Sequence, residues 1–375
     1  MTDPRFLQIH TLSPYTAVLL NRDDSGLAKR LPYGSALRTR VSSQCLKRHW
    51  RIAEDPHALH QIEGTTAALR SRELVTRKVI APLRTRFPEA VVDAIEPELQ
   101  KAVYGDKGTT KKGRQTLLLG QPEIEWLAKQ ARQLAEESGD DSEKAKKAAE
   151  MWRKAAQANL KAMRETAVLP AGLEAALFGR MVTSDPEANI TAPVHVAHAF
   201  TVHGEEPEMD YFTAVDDLSD DEPGADTIQE TELTSGLFYG YVVIDLPGLV
   251  SNLSGDAELA GHVLHNLIYL IAEVSPGAKL GSTAPYSRAS FMLLEAGDRQ
   301  PRSLAEAYRK ACAPEVGAAV SALSAHLAAL DEAYATGEMR RVMSLARAEV
   351  PGAERGSLAD LAGWAETLPA ATSTS

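Results

Sequence analysis

The apolar and polar positions of the chain begin with FLQIHTL (Phe6 to Leu12), an alternation that predicts a strand, followed by a Pro-containing bend through Leu20. Residues 22–36, with Gly26, Pro32 and Gly34, read as a loop. Ser42 and Ser43 then precede QCLKRHWR, a helix whose Leu46 and Trp50 face inward. Gln44, Lys47, Arg48 and Arg51 fall at helical spacing on its other side. From about Pro56 to Thr166 β-branched runs are few and Ala, Leu, Lys and Glu abound, which predicts helices, with one long basic helix after an acidic start in Ser138 to Lys161. SGLFYGYVVIDL (Ser235 to Leu246) predicts a strand, Asp256 to Val274 an amphipathic helix, Ala289 to Glu295 a strand, and Ser303 to Ala335 a further helical run. Together these predict an α+β fold: a sheet with helices on one face and two long insertions.

Length allows one large domain with insertions or two domains, since the chain has 375 residues. Its 44% hydrophobic and 24% charged residues are those of a soluble globular protein. Cys45 and Cys312 are far apart with no CxxC, which fits a reducing cytoplasm and excludes a zinc knuckle or a disulfide framework. MTDPRFLQIH is neither a signal nor a transit peptide, and the longest apolar run, Val263 to Val274, is interrupted by His265, Asn266 and Glu273. A cytoplasmic protein without membrane contact is expected.

Charge distribution changes this picture. Asn21 to Arg51 holds eight Lys or Arg against Asp23 and Asp24, a local charge of +6 in a chain whose net charge is −11. Such a segment is either the footprint of a polyanion or a solvated helix with scattered surface arginines. Asp106 to Gln115 (DKGTTKKGRQ) is a Gly-rich basic loop, and Lys144, Lys147, Lys154 and Lys161 fall on adjacent turns of one helix side, where a solvated face is the plainer reading. No Lys or Arg occurs between Arg180 and Lys279, and acids cluster from Glu205 to Glu232 around Met209, Tyr211, Phe212 and Val215. Aromatics amid acids suggest either a protruding element that wedges or docks, including onto the next copy of the chain, or a poorly ordered loop.

Candidates for catalysis are few. On one strand His195 and His203 would share a side and His198 would face the other, so a packed core role is favoured over a metal site. Asp23 and Asp24, adjacent and beside arginines, could hold Mg²⁺. There is no GxGxxG, P-loop or Gly-x-Ser-x-Gly elbow. No catalytic residue, metal or cofactor is assigned.

One resemblance spans most of the chain. NRDD, a Gly-containing loop and R-x-R-V-S-S-Q-x-L-K-R, followed by ALFGRM, TSDPEAN, HVAHAFTVH, EMDYFTAVDDL, SGLFYGY and GSTAPYSRASFMLLEAGDRQPRSLAEAY, resemble the CasC-type (Cse-family) backbone subunit of type I-E CRISPR Cascade surveillance complexes. The stretch from about 52 to 165 resembles it least. The resemblance implies an RRM-like (ferredoxin-like) palm, an inserted helical fingers domain and a protruding β-hairpin thumb. The palm would comprise 1–51, 171–200 and 236–345, the fingers 52–170 and the thumb 201–235, ahead of a C-terminal segment 346–375 with a disordered tail. It further implies a non-catalytic subunit that oligomerises head to tail along CRISPR RNA and presents the spacer to target DNA, alongside other Cascade subunits.

Carried over by motif, Arg22, Lys29, Arg40, Ser42, Gln44, Lys47 and Arg51 would contact the RNA backbone. Met181, Tyr211, Phe212 and Thr213 would wedge beside displaced bases, Asp24 would hold a neighbouring thumb, and Lys144, Lys147 and Lys154 would meet target DNA. The family often has Trp where Tyr211 stands, and Tyr stacks with less area. Related type III subunits cut RNA from a loop aspartate, so a metal-dependent RNase using Asp23 or Asp24 is the enzyme-class alternative, and a free-standing RNA-binding protein is the third reading.

Overall fold

A computed structural model describes residues 4–165, 167, 169–213 and 228–371. The chain divides into two compact units: unit 1 is Met1–Leu59, His195–Pro247 and Gly261–Ser375, and unit 2 is His60–Val194 and Gly248–Ala260.

In chain order the elements are β1 (Phe6–Val18), β2 (Arg30–Tyr33), β3 (Ala36–Val41), α1 (Ser43–Arg51), β4 (Ala68–Ser71), α2 (Glu89–Tyr104), β5 (Leu117–Gly120), α3 (Gln121–Ser138), α4 (Ser142–Lys154), α5 (Ala156–Arg164) and α6 (Leu173–Phe178). There follow β6 (Val194–Val196), β7 (Ala199–Thr201), β8 (Pro207–Thr213), β9 (Ile228–Asp245), α7 (Leu246–Asn252), α8 (Ala257–Glu273), α9 (Leu280–Thr283), β10 (Phe291–Gly297), α10 (Val316–Tyr334), β11 (Met339–Ser344), β12 (Ala353–Arg355) and α11 (Leu358–Ala371). Among the described residues ten strands form one sheet, with the path β12-β11-β10-β1-β9-β7-β3-β2 and with β6 and β8 also on β9.

The expected mixed α/β architecture is present, with one difference in its layers. Both sheet faces are covered. Ile9, Phe238 and Val242 line one face together with Leu46 and Trp50 of α1 and Ile271 of α8. On the opposite face Leu12, Tyr239, Phe291 and Leu293 pack with Ala319, Val320, Leu323 and Leu327 of α10. Alternation along β1 and β9 therefore serves two cores, and each fully buried Leu or Phe contributes about 1.5–3 kcal/mol.

On the second face Glu295 gathers polar partners. Glu295 accepts from His10 at 3.0 Å, from both Arg302 terminal nitrogens at 2.6 and 2.9 Å, and from Arg340 at 2.7 Å. Burial works against that carboxylate, but these partners outweigh it and hold its pKa well below the usual range.

Several local expectations change. The segment 22–36 is not all loop, because β2 pairs antiparallel with β3 from Arg30↔Thr39 to Tyr33↔Ala36. Pro14 does not end β1; it stands opposite Leu237, and the register slips only between Tyr15 and Val18, where Ala17 has φ 52°. The run 303–335 is a short 3-10 turn, Ala305–Tyr308, and then α10. Residues 138–161 are not one helix: α3 ends at Ser138, Asp141 caps α4, and a break at Ala155 precedes α5. Asn159 Nδ2 donates to the Trp152 carbonyl at 2.9 Å, satisfying an acceptor beside that break.

Unit 2 is built on its own core, with Val91, Ile95 and Leu99 of α2 packed with Leu127 and Ala131 of α3 and Ala145 and Ala149 of α4. Among the described residues no helix is long and apolar enough to cross a membrane.

Candidate nucleic-acid interface

The basic segment of unit 1 sorts its cations by strand, loop and helix. Arg38 on β3 is fully buried. Its guanidinium donates to the carbonyls of Thr201 at 3.2 Å, Tyr308 at 2.9 Å and Tyr33 at 3.4 Å. Arg30 binds Glu205 at 2.6 Å and also Glu232, so it ties β2 to the residues around the β8–β9 ladder. These two arginines hold the fold together. The other cations of the segment are Arg22, Lys29, Arg40, Lys47, Arg48 and Arg51.

Arg40, two residues beyond Arg38, donates to Nδ1 of His198 at 2.8 Å. Burial first, then the positive charges of Arg40, Lys29 and Lys47, push the His198 pKa down. A loop cation, a strand cation and a helix cation thus act on one imidazole.

Helix α1 starts beside them. Ser42 is buried, its backbone N–H donates to Asn21 Oδ1 at 2.9 Å, and its hydroxyl oxygen accepts from the Cys45 N–H at 3.3 Å. Its own hydroxyl proton is left for donation. The first turn holds no acid, Gln44 in it is exposed, and Arg48, His49 and Arg51 follow in the last turn. Trp50 is buried as its spacing requires, which turns Lys47 and Arg51 away from the core to half-exposed positions.

The loop before β2 is shaped by Asp23. Its Oδ1 accepts from the N–H groups of Ser25 and Leu27, both at 2.9 Å, and Gly26 follows at φ 87°. Asp24 and Arg22 are exposed. Arg22, Asp23, Asp24, Gly26 and Cys45 line an open depression of about 480 Å³ with His49 and Gly277.

The histidines do not share one strand, because β6 ends at Val196 and β7 starts at Ala199. His203 is buried, with Nδ1 donating to the Gly204 carbonyl at 2.6 Å and Nε2 accepting from Leu237 N–H at 3.2 Å. Among the described residues no group of three or more His, Cys, Asp or Glu is arranged to hold a metal ion.

Strands β8 and β9 form an antiparallel ladder from Pro207↔Thr234 to Thr213↔Ile228. On it Tyr211 is 58% and Phe212 42% exposed. Lys279 lies 5.4 Å from the Phe212 ring centre, and its ammonium donates to Thr231 Oγ1. The Thr213 side chain and residues 214–227, which carry Val215, Asp216, Asp217, Asp220, Asp221, Glu222 and Asp226, lie outside the described residues.

In unit 2, FGRM alternates in direction. Gly179 turns the chain at φ 76°, where a Cβ would come within 2.9 Å of the Ile190 carbonyl oxygen. Arg180 points inward to Glu123, at 2.6 Å, in a buried ion pair. Met181 points outward and is 68% exposed. Lys144, Lys147 and Lys154 are exposed on α4, and Lys144 donates to the Glu137 carbonyl.

Sequence comparison decides what this arrangement belongs to. The profile of the family described as CT1975-like protein matches residues 7–369. The chain is a member of that family. Its motif resemblance to a Cascade backbone subunit is thereby borne out. Two solved structures are similar over nearly their whole lengths. One chain, from a "CRISPR RNA-guided surveillance complex, pre-nicking", is 24% identical with a TM-score of 0.74, and covers 96% of this chain and 100% of its own. Another, from a "CRISPR RNA-guided surveillance complex", is 25% identical with a TM-score of 0.70, covering 96% and 99%. No curated protein matches.

Sequence reasoning missed Arg30 and Arg38 as structural cations. It also missed His198 as the residue on which Arg40, Lys29 and Lys47 act. Parity could not separate Arg38 from Arg40, which point to the same side of β3; only the carbonyl of Tyr308, 270 positions away, does so.

Proposed function

We propose that this chain is the repeated, non-catalytic backbone subunit of a type I-E-like Cascade, stacked head to tail along CRISPR RNA. In this reading unit 1 contains an RRM-like palm. Supporting it is the antiparallel order β10-β1-β9-β7, in which α8 links β9 to β10 around β1, as in a β-α-β-β-α-β sheet. Unit 2 supplies the fingers, and the β8–β9 stem supplies the thumb.

The observation that carries the proposal is the convergence of Lys29, Arg40 and Lys47 on His198, beside the capped start of α1. Among the described residues no carboxylate is one of the charges acting on that ring. Cations from three elements around a helix N-terminus suit a sugar-phosphate backbone held without reading its bases. Arg22, Ser42, Gln44 and Arg51 extend the contact, and guide pairing supplies the sequence specificity. Met181, Tyr211, Phe212 and Thr213 displace bases at intervals, Asp24 meets the thumb of the adjacent copy, and Lys144, Lys147 and Lys154 draw target DNA to the fingers. The subunit works with other Cascade proteins in the cytoplasm, away from any membrane. Asp23 favours binding over cleavage, because its Oδ1 is already engaged by two backbone N–H groups.

The test is a nuclease footprint of a repeat-spacer RNA in the complex purified with its partner subunits. Protection along the whole spacer, broken by exposed nucleotides at a constant interval, is expected. Protection of one short site would reduce the chain to an ordinary RNA-binding module.

A further inference from the structure

Unit 2 carries a second group of cations that none of the resemblance motifs contains. Residues 70–78 and 106–116 together hold eight Lys or Arg against Glu73 and Asp106. Antiparallel pairing of β4 with β5 sets Ser71 opposite Leu117 and so brings the two stretches side by side. Arg72 then donates to Thr116 Oγ1 at 3.1 Å, while Glu73 faces both Arg77, at 3.5 Å, and Lys111, at 3.2 Å. Arg72, Arg77, Lys111 and Lys112 are all exposed. Glu73 and Asp106 are the two acids of these stretches against eight cations, so the surface is left strongly positive.

The platform beneath is rigidly built. Arg114 is buried, donates to the Gly108 carbonyl at 2.6 Å and to the Arg72 carbonyl at 3.4 Å, and lies 5.5 Å from the Tyr104 ring centre. Gly108 and Gly113 leave no room for a side chain, since a Cβ would stand 2.5 Å from the Gln100 carbonyl oxygen and 2.3 Å from that of Lys107. The basic loop is thus pressed against α2 rather than hanging free. It also reaches Met181 directly. Gln115 Nε2 donates to the Met181 carbonyl at 2.9 Å, and Gln115 Oε1 accepts from the Thr183 N–H at 3.2 Å and its hydroxyl at 2.9 Å.

We infer that this patch is a second phosphodiester-binding surface, holding the backbone of the strand whose bases meet Met181. The inference rests on the proposed function. Long cations on a fixed, glycine-shaped platform bind phosphates without reading bases, and an exposed thioether at the rim offers an apolar contact to a base. The strand is either the guide RNA or the target DNA, which share this chemistry.

The test uses the assembled complex carrying the double variant Lys111→Ala/Lys112→Ala, with Lys47→Ala as the control in unit 1. Guide-RNA binding and target-DNA capture are each measured across a salt series. Expected for the double variant is a loss of roughly tenfold in one of them, with the salt slope shallower by about 1 to 2. Loss of guide binding assigns the RNA strand; loss of target capture with guide binding intact assigns the DNA strand. If Lys47→Ala weakens guide binding and the double variant changes neither, the patch inference falls alone. If Lys47→Ala is also without effect, the proposed function falls with it. Lys111→Arg/Lys112→Arg retains binding if charge is what acts, and its failure would overturn the inference in favour of a specific lysine contact.

Discussion

The basic segment of unit 1 and the basic patch of unit 2 have the same charge inventory, eight cations against two acids, and reach it by opposite routes. In unit 1 the cations lie within Asn21 to Arg51, one continuous stretch of loop, strand and helix. In unit 2 they come from two stretches, separated in sequence, that the pairing of β4 with β5 brings together. Each region nonetheless sacrifices a buried arginine to its own scaffold. Arg38 serves the carbonyls of Thr201, Tyr308 and Tyr33, and Arg114 those of Gly108, Arg72 and Thr109. An electropositive surface needs its cations held apart against their own repulsion, and in both regions a guanidinium bonded to backbone carbonyls fixes the loops that do so.

The largest expected effect follows from that shared device. Arg38→Ala strands the buried carbonyls of Thr201 and Tyr308, and Arg114→Ala that of Gly108 together with the partly buried ones of Arg72 and Thr109, at about 1–3 kcal/mol for each buried acceptor left unpaired. Each variant is therefore expected to lose about 3 kcal/mol or more, read as a lowered denaturant midpoint. By contrast Arg22→Ala, at an exposed loop position, is expected to leave the midpoint within about 0.5 kcal/mol. A normal midpoint for either buried variant would remove the scaffold role of that arginine.

The same contrast explains what was legible in the chain. A helix beginning at Ser42 or Ser43, with Trp50 inward and Lys47 outward, was readable because capping and helical spacing are local. The strands Phe6–Val18 and Ile228–Asp245 were readable in part because their apolar residues alternate or run on. DKGTTKKGRQ was readable as a basic loop but not as half of a patch, since nothing in residues 106–115 announces Arg72 and Arg77. The helices after Ser138 were read as one, because no Pro or Gly marks the break at Ala155. Long-range partners, in each case, decided what local pattern left open.

A smaller effect separates capping from phosphate contact within unit 1. Ser42→Ala removes the acceptor for the Cys45 N–H and is expected to lower stability by about 1 kcal/mol. Because no charge is lost, the salt dependence of RNA binding should keep its slope even if affinity falls. A slope that flattened with Ser42→Ala would mean that the cap holds the cations in place, coupling the two roles that the geometry of α1 otherwise keeps separate.

The smallest expected effect is one of pH, and it belongs to unit 1 alone. Burial and the charges of Arg40, Lys29 and Lys47 lower the pKa of His198, so in the free protein the ring is neutral near pH 7. In stability the sign is unfavourable to acid: the folded state takes up its proton later than the unfolded chain, and stability is lost as pH falls below about 6.5. In binding the sign reverses. Under the proposed function, phosphates among those cations would offset the repulsion that lowered the pKa, and the RNA complex would take up a proton that the free protein does not. Affinity should rise two- to threefold, roughly, between pH 7.5 and 6, a modest gain by proton linkage. The stretches that form the unit 2 patch contain no histidine, so their contribution should stay flat over the same range. Fluorescence anisotropy at both pH values, on the native chain and on His198→Asn, separates the two regions. A pH response that survives His198→Asn would mean that the linked proton sits elsewhere, and the convergence of cations on this ring would then not be what the RNA senses.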